Sequence, residues 1–378
     1  MLITVKKLVT IVLAKISRSL PAWREVEAIS MVPPMRAQPY AERLPVNILH
    51  LPIDLADHYV ALSTSAPALL PALSIYIVKD ANVSFVGAPF KNLQLFRPDM
   101  SPYTEGYFRN SYLLMQWMSP KHKVKKITKV GLIHDIWSVQ NYFHWMVESL
   151  PRLLMLRKAF PEIDILVPIP TPSFIRETLA LLGFTNLIPI AKGDFIKAST
   201  LIVPQKLPFL EWQLENTNLE KHEFGLQMVR NELLNALTLV ATKAPFRMVY
   251  VSRAHQSGRR VRNEADIEEM LKNYGFEIFY FERLSFEQQA RLMQETAVLI
   301  GLHGANLTNI MFMQPGTKVV ELLNIDSERF LFYFFMASYF EVAYYCFPCN
   351  SADATVTNHS DVIINSEDFE YILQIVTK

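Results

Sequence analysis

The chain has 378 residues, of which 51% are hydrophobic and 19% charged, a balance that excludes a disordered polymer and leaves room for two domains of ordinary size. A formal net charge of +1 sets up no global field for polyanions, so nucleic acid is not an expected partner and any anion site must come from a local cluster. The two cysteines, Cys346 and Cys349, cannot form a disulfide framework. Their C-x-x-C spacing could bind zinc or cycle as a redox pair, but the second pair that a four-ligand zinc site needs is missing, so both are read as small buried hydrophobes, a usage that suits a reducing compartment.

Residues 1–45 open on an apolar run at 8–14, far short of the ~20 residues that span a bilayer. Lys15 and Arg18 follow where a secretory cleavage site would need small residues, so no signal peptide is expected. With Lys6, Lys7, Lys15 and Arg18 flanking Leu8, Ile11 and Val12, the segment reads either as a helix lying on an anionic membrane surface or as a frayed N-terminal helix. Pro33, Pro34, Pro39 and Pro45 make the remainder a connector. Residues 46–128 form a β-rich preamble, with short strands at 73–78 and 83–86 broken by Asp80-Ala81-Asn82 and closed by Gly87-Ala88-Pro89.

From residue 129 strands and helices alternate. A first unit, 129–240, has a strand at 130–134, a helix at 141–160 that Pro151 kinks or restarts, and a strand at 163–167. A helix at 173–182 closed by Gly183, strands at 187–190 and 199–203, and a helical stretch at 217–241 complete it. A second unit, 241–345, has a strand at 246–251, a helix from an Asn263 cap to Asn273, and a strand at 276–281. Ser285 and Gln288 then open a helix as a capping box; a strand at 297–300, a helix near Asn306 and a strand at 317–323 come next. The alternation predicts an α/β fold of two Rossmann-like domains facing a cleft, with a C-terminal segment at 346–378.

Ligands of such sheets bind where strands end, so four strand-end groups are the candidates. Gly301-Leu302-His303-Gly304-Ala305-Asn306-Leu307-Thr308-Asn309 leaves a buried strand for a helix. Gly301 and Gly304 permit a tight turn, the N–H groups at the helix start suit a diphosphate, and Asn306 and Thr308 can cap or donate. The imidazole of His303 moves an ordinary strand–helix turn toward a ligand site. Ser252 and Arg253 come directly after another strand, with Arg259, Arg260 and Arg262 behind them; guanidinium forks match phosphate oxygens, and Arg260 and Arg262 are read as surface. His144, Glu148 and Arg152 make one helical stripe, where His144 is either a base oriented by Glu148 or a core histidine satisfied by it. His134 and Asp135 add polar groups to that region. Glu321, in an apolar strand, needs either ribose hydroxyls or a buried arginine as partner.

Three blocks, 141–153, 251–264 and 301–321, together resemble glycosyltransferase family 61; they span roughly 129–325, and the first 128 residues carry no assignable motif. The resemblance implies a GT-B-type architecture and an inverting transfer that uses no metal or other cofactor. It also implies a UDP-sugar donor, with N-acetylglucosamine or a pentose as family precedents. Arg253, Arg259 and the 301–306 turn then hold the departing diphosphate, with Ser252, His303, Gly304 and Thr308 in the donor set and Glu321 on the ribose. His144, oriented by Glu148, is the first choice of base; His303 and Asp135 are the alternatives. Eukaryotic members carry a secretory anchor or signal, which this chain does not clearly show. That points to the bacterial branch tied to capsule or surface polysaccharide, with a glycan or lipid-linked glycan acceptor and a cytoplasmic location at the inner face of the membrane. Two other classes stay open: a metal-dependent hydrolase with His134, Asp135, His144 and Glu148 around one cation, and a nucleotide-sugar-binding protein without turnover.

Overall fold

The computed structural model describes residues 12, 27–32, 35–36, 44–63, 69–70, 73–92, 94–96, 117, 123–206, 219–239, 243–326, 331–353 and 355–378. Apart from Val12, the apolar run at 8–14 and its flanking cations lie outside these residues, as do Pro33, Pro34 and Pro39. Besides a short antiparallel pair, Met35–Arg36 with Leu69–Leu70, the strands in chain order are β1 (Glu27–Val32), β2 (Leu73–Ser84), β3 (Pro89–Lys91), β4 (Gln94–Leu95), β5 (Lys123–Gly131), β6 (Ile165–Ile169), β7 (Leu187–Ala191) and β8 (Asp194–Pro204). Then come β9 (Arg247–Val251), β10 (Glu277–Phe279), β11 (Thr296–Leu302), β12 (Lys318–Asn324), β13 (Ala343–Ser351) and β14 (Val362–Ile363). The helices are α1 (Ile53–Ser63), α2 (Leu150–Ala159), α3 (Ser173–Leu181), α4 (Leu219–Ala236), α5 (Glu264–Asn273), α6 (Phe286–Glu295), α7 (Phe332–Tyr339) and α8 (Ser366–Val376). No helix among the described residues is long and apolar enough to cross a membrane.

The chain divides into two compact units, one holding β1 to β8 and the other holding α1 and everything from β9 to α8. In the first, an eight-stranded sheet runs β4-β3-β2-β8-β5-β6-β7, with β1 also on β2. β8, β5, β6 and β7 are mutually parallel, whereas β2 lies antiparallel to β8. Its core is built from alternate apolar residues such as Val130, Leu132, Leu166, Ile190, Ile196 and Leu201. The expected break at Asp80-Ala81-Asn82 is not there. β2 runs straight through it, with Ala81 opposite Ala198 and Asn82 opposite Lys197, because Asp80 absorbs the bend alone at a φ of 53°, a conformation Asp tolerates.

The helical stretch at 141–160 restarts at Pro151, as expected. A turn at Tyr142–His144 widens into a π-turn at Trp145–Ser149, where the N–H of Leu150 reaches the carbonyl of Trp145, and α2 starts there with Pro151 in its first turn. At that position the missing N–H of proline costs nothing.

The second unit carries a six-stranded sheet in the order β10-β9-β11-β12-β13-β14. The first five strands are parallel and β14 is antiparallel. The parallel strands stand in the order second, first, third, fourth, fifth, so the switch point falls between β9 and β11. The capping box of α6 is present, with the Ser285 hydroxyl on the Gln288 N–H and the Gln288 side chain on the Ser285 N–H. Asn263 does not cap α5. Its amide instead brackets Ile364, donating to the carbonyl at 2.8 Å and accepting from the N–H at 3.1 Å. α1, inside the expected β-rich preamble, buries Leu55 and Tyr59 fully. Cys346 and Cys349 are buried and form no disulfide; three positions apart on one strand, they point to opposite faces.

Gly87 holds a φ of +72°, and a Cβ there would sit 2.1 Å from the carbonyl oxygen of His134. Gly87→Ala is expected to destabilise the protein by on the order of 3 kcal/mol, combining backbone strain with a forced displacement. Urea denaturation checks it; a loss below about 0.5 kcal/mol would show that the turn reshapes freely.

Candidate functional site

The carboxyl ends of β9 and β11 frame the switch point. Ser252 leaves β9 fully buried, its N–H on the Phe279 carbonyl at 2.9 Å and its hydroxyl accepting from the Ala254 N–H at 3.1 Å, so it shapes the loop. The Nε of Arg253 donates to the Arg259 carbonyl at 3.0 Å. Its guanidinium lies on Gly304, where a Cβ would come within 2.7 Å of Nη1. Arg259, at a φ of 53°, extends Nη1 to 3.5 Å from the His303 carbonyl, and its Nε is buried without a partner. Neither arginine forms an ion pair among the described residues. Burial first, and then the neighbouring Arg259, pull the Arg253 guanidinium down to about 10. Two cations brought together with no ion pair to either among the described residues make a site that an anion stabilises.

The other two arginines face away from this pair. Arg260 and Arg262 bond Asp361 at 3.1 and 2.7 Å, and Arg262 reaches Asp353 at 3.1 Å. They are exposed, as expected, but they tie the loop to the C-terminal segment. Gly301 lets Leu307 close in, since a Cβ would meet its Cδ2 at 3.0 Å. The helix after the turn is a 3₁₀-helix, Ala305–Phe312, rather than an α-helix. The Asn306 carbonyl accepts from the Asn309 amide at 3.1 Å, and Thr308 is buried beside Tyr333.

His303 turns toward the sheet. Its Nδ1 is hydrogen-bonded to Glu321 Oε1, while Glu321 Oε2 accepts from the Tyr344 hydroxyl at 2.6 Å. Tyr344 in turn meets the Tyr59 hydroxyl of α1 at 3.0 Å. Burial, then the charge of Glu321, hold the Tyr344 phenol well above its ordinary range, so it stays a donor. Glu321 has no exposed surface, and both its oxygens are taken. The ribose contact expected of it does not fit this geometry, and its partner is His303 rather than an arginine. Tyr344 and Tyr59, 285 positions apart, left no local signal in the sequence.

In the first unit β5 and β8 run parallel, so their carboxyl ends coincide and the segments beyond those ends meet. Lys206, two residues beyond β8, lies 2.5 Å from Asp135 Oδ2 and 2.9 Å from Glu148 Oε2. Glu148 Oε2 is 3.2 Å from His144 Nδ1, off the line of a hydrogen bond. Trp137 stacks on His144 at a centroid distance of 5.6 Å. Arg152 leaves the stripe and donates to the Pro204 carbonyl at 2.9 Å and to the Leu132 carbonyl at 3.4 Å. Burial would raise the Asp135 carboxyl, but Lys206 and the Ser138 N–H hold it well below the carboxylate range. Lys206 belongs to none of the sequence motifs; its only signal is its place just past a strand end. Among the described residues no group of three or more His, Cys, Asp or Glu is placed to hold a metal ion. The Lys206 ammonium stands between the two carboxylates that a hydrolytic cation would use.

His134 donates from Nε2 to the Phe85 carbonyl at 3.2 Å, and burial lowers its pKa from 6.5 to about 4. The unfolded chain therefore takes up a proton between these values that the native protein refuses, and stability falls as pH drops through that window, by about 3 kcal/mol from this group. His134→Gln keeps the donor and removes the titration. Its stability curve should be flatter by that amount between about pH 7 and 4; parallel wild-type and variant curves would exclude His134 from the acid limb.

Residues 142–320 match the family model described as Glycosyltransferase 61, a stretch that includes His144, Glu148, the arginine loop and the His303 turn. The chain is similar to the EGF domain-specific O-linked N-acetylglucosamine transferase of Rattus norvegicus, 33% identical over 76 residues, which is 19% of this chain and 14% of that protein. The protein of the same name from Drosophila melanogaster is 34% identical over 83 residues, 21% and 16% of the two chains. Beta-1,2-xylosyltransferase RCN11 of Oryza sativa subsp. japonica is 26% identical over 121 residues, 27% of this chain and 23% of that one. The alignments thus span less than a quarter of these relatives' lengths. Arg253, Arg259 and the glycine turn thus all lie within the stretch, residues 142–320, that is similar to glycosyltransferase family 61.

Proposed function

We propose that the protein moves a sugar from a UDP-sugar to a hydroxyl of a glycan, with inversion and without a metal ion. The arginine pair carries this proposal: Arg253 lies on Gly304 and Arg259 reaches toward the adjacent His303 carbonyl at the switch point, with no ion pair to quench them among the described residues. A diphosphate that leaves an anomeric carbon gains negative charge, and a metal-free site must supply fixed cations where that charge develops. Guanidinium forks do so bidentately. We assign the two α/β units to the acceptor and donor halves of a GT-B-type enzyme.

Inversion is one displacement. The acceptor oxygen attacks the anomeric carbon as the bond to the diphosphate breaks, and the acceptor proton passes to a base. We assign that base to His144, beside Glu148, whose charge Lys206 holds in place. A role in capsule or surface-polysaccharide assembly, with a lipid-linked acceptor at the cytoplasmic face of a membrane, rests on the sequence resemblance alone; the relatives named above come from rat, fruit fly and rice.

Calorimetry in the presence of a chelator is expected to show UDP binding to the wild type. Arg253→Lys should weaken it nearly as much as Arg253→Ala, because lysine offers a point charge and no fork. A lysine variant within about 0.5 kcal/mol of wild type would move the donor site elsewhere.

His144→Ala should lower turnover by about 10²- to 10⁴-fold while UDP affinity stays unchanged. Steady-state kinetics with a transferable donor decide it, and a fully active variant would end the assignment.

A further inference from the structure

With Glu321 sealed behind His303, the arginine site proposed for the diphosphate has no group assigned to the nucleoside. The paired carboxyl ends of β9 and β10 supply further groups. Tyr280 comes directly after β10, and the bond from the Ser252 N–H to the Phe279 carbonyl, 2.9 Å, fixes this strand end against the start of the arginine loop. His255, in that loop and exposed, stacks on Tyr280 with ring centroids 4.6 Å apart and planes 30° from parallel. Arg283 locks the pair: its Nη2 donates to His255 Nε2 at 2.6 Å, and its guanidinium sits 4.7 Å from the Tyr280 ring centre. The Tyr280 hydroxyl reaches Glu268 of α5 at 3.5 Å. Glu282, exposed and without an ion pair among the described residues, lies close enough to Arg253 to act on its charge.

We infer that His255, Tyr280 and Glu282 form the nucleoside subsite of the donor, the base lying on the open face of the His255–Tyr280 stack and the ribose hydroxyls on Glu282. The inference rests on the nucleotide-donor proposal above. An arginine side chain only donates, so His255 Nε2 is the acceptor and Nδ1 carries the proton. The imidazole is thereby a flat surface held in place by Arg283, with Tyr280 covering one face. A base on the other face adds a third layer, and stacking of this kind tolerates any base. Doubly wound sheets hold the ribose on a carboxylate near the end of the second strand in sequence. Glu282 occupies that place in this unit, three residues past β10, whereas Glu321 lies on the fourth strand with both oxygens taken.

The test is calorimetry on the full chain with UDP, 2′-deoxy-UDP and inorganic pyrophosphate. Wild type should bind UDP more tightly than pyrophosphate. Tyr280→Ala and His255→Ala should each weaken UDP by about tenfold to a hundredfold, the loss of one stacked base, and leave pyrophosphate unchanged, which also certifies their fold. Tyr280→Phe keeps the ring and should keep UDP affinity. Glu282→Gln should erase the preference of wild type for UDP over 2′-deoxy-UDP. The inference is overturned if wild type binds pyrophosphate as tightly as UDP, if both alanine variants bind UDP like wild type, or if Tyr280→Phe is as damaging as Tyr280→Ala. A wild type that binds UDP and pyrophosphate equally removes this subsite and leaves the arginine site standing. A wild type that binds neither removes both.

Discussion

Two guanidinium groups held side by side without an ion pair are the constraint around which the second unit is arranged. Arg253 and Arg259 repel one another and have lost much of their hydration, so an unsupported loop would splay them apart. The backbone prevents it. The N–H of Arg259 bonds the His359 carbonyl at 3.1 Å, that of Arg262 the Val362 carbonyl at 2.8 Å, and the Arg260 carbonyl accepts from the Val362 N–H at 2.9 Å. Asp361 gathers the side chains of Arg260 and Arg262 onto the same segment. The positive φ of Arg259 is therefore imposed from both sides of the loop, as strained residues at binding sites require. Gly304 completes the arrangement by leaving space where a Cβ would push the Arg253 guanidinium away.

A carboxylate nearby would quench such a pair, and Glu321 is on the neighbouring part of the sheet. Its charge is diverted. One oxygen faces His303 and the other Tyr344, with Tyr59 behind, so a fully buried carboxylate is satisfied without drawing on the arginines. This is why α1, which supplies Tyr59 and lies far from the motifs in sequence, belongs to the unit that holds them. The partners that satisfy one acidic group thus help decide whether two basic groups stay available to a ligand.

How much of this was legible in the sequence depends on the range of the interactions. Ser285 and Gln288 are three residues apart, and their capping box was readable and is present. The strands from β6 to β12 track local apolar runs and fell close to their expected places, whereas β5 runs over 123–131 instead of 130–134, because parallel pairing with β8 extends it through a lysine-rich stretch that carries no apolar run. Asn263 has the residue type of a cap, but a partner 101 positions away took its amide. Asp80 looked like a break because Asp favours turns, yet pairing of β2 with β8 overrides one residue's preference. Lys206 and Tyr344 were invisible for the same reason: each matters through a contact that only parallel pairing of distant strands creates. The arginine loop could be found because its members are close in sequence, but its division into two free and two tied arginines depends on Asp361, 99 to 101 positions on.

The two units handle buried charge in opposite ways, and the contrast bears on chemistry. In the first, Lys206 is shared between Asp135 and Glu148, and the two carboxylates more than offset the effect of burial on its ammonium. A cation shared in this manner holds the two carboxylates in place, and with them the surroundings of His144. In the second, the arginine pair is left incomplete, and the missing charge is negative. An enzyme that moves a sugar off a diphosphate needs both kinds of environment, one that holds a proton acceptor still and one whose electrostatic balance is reached only as the leaving group becomes fully charged.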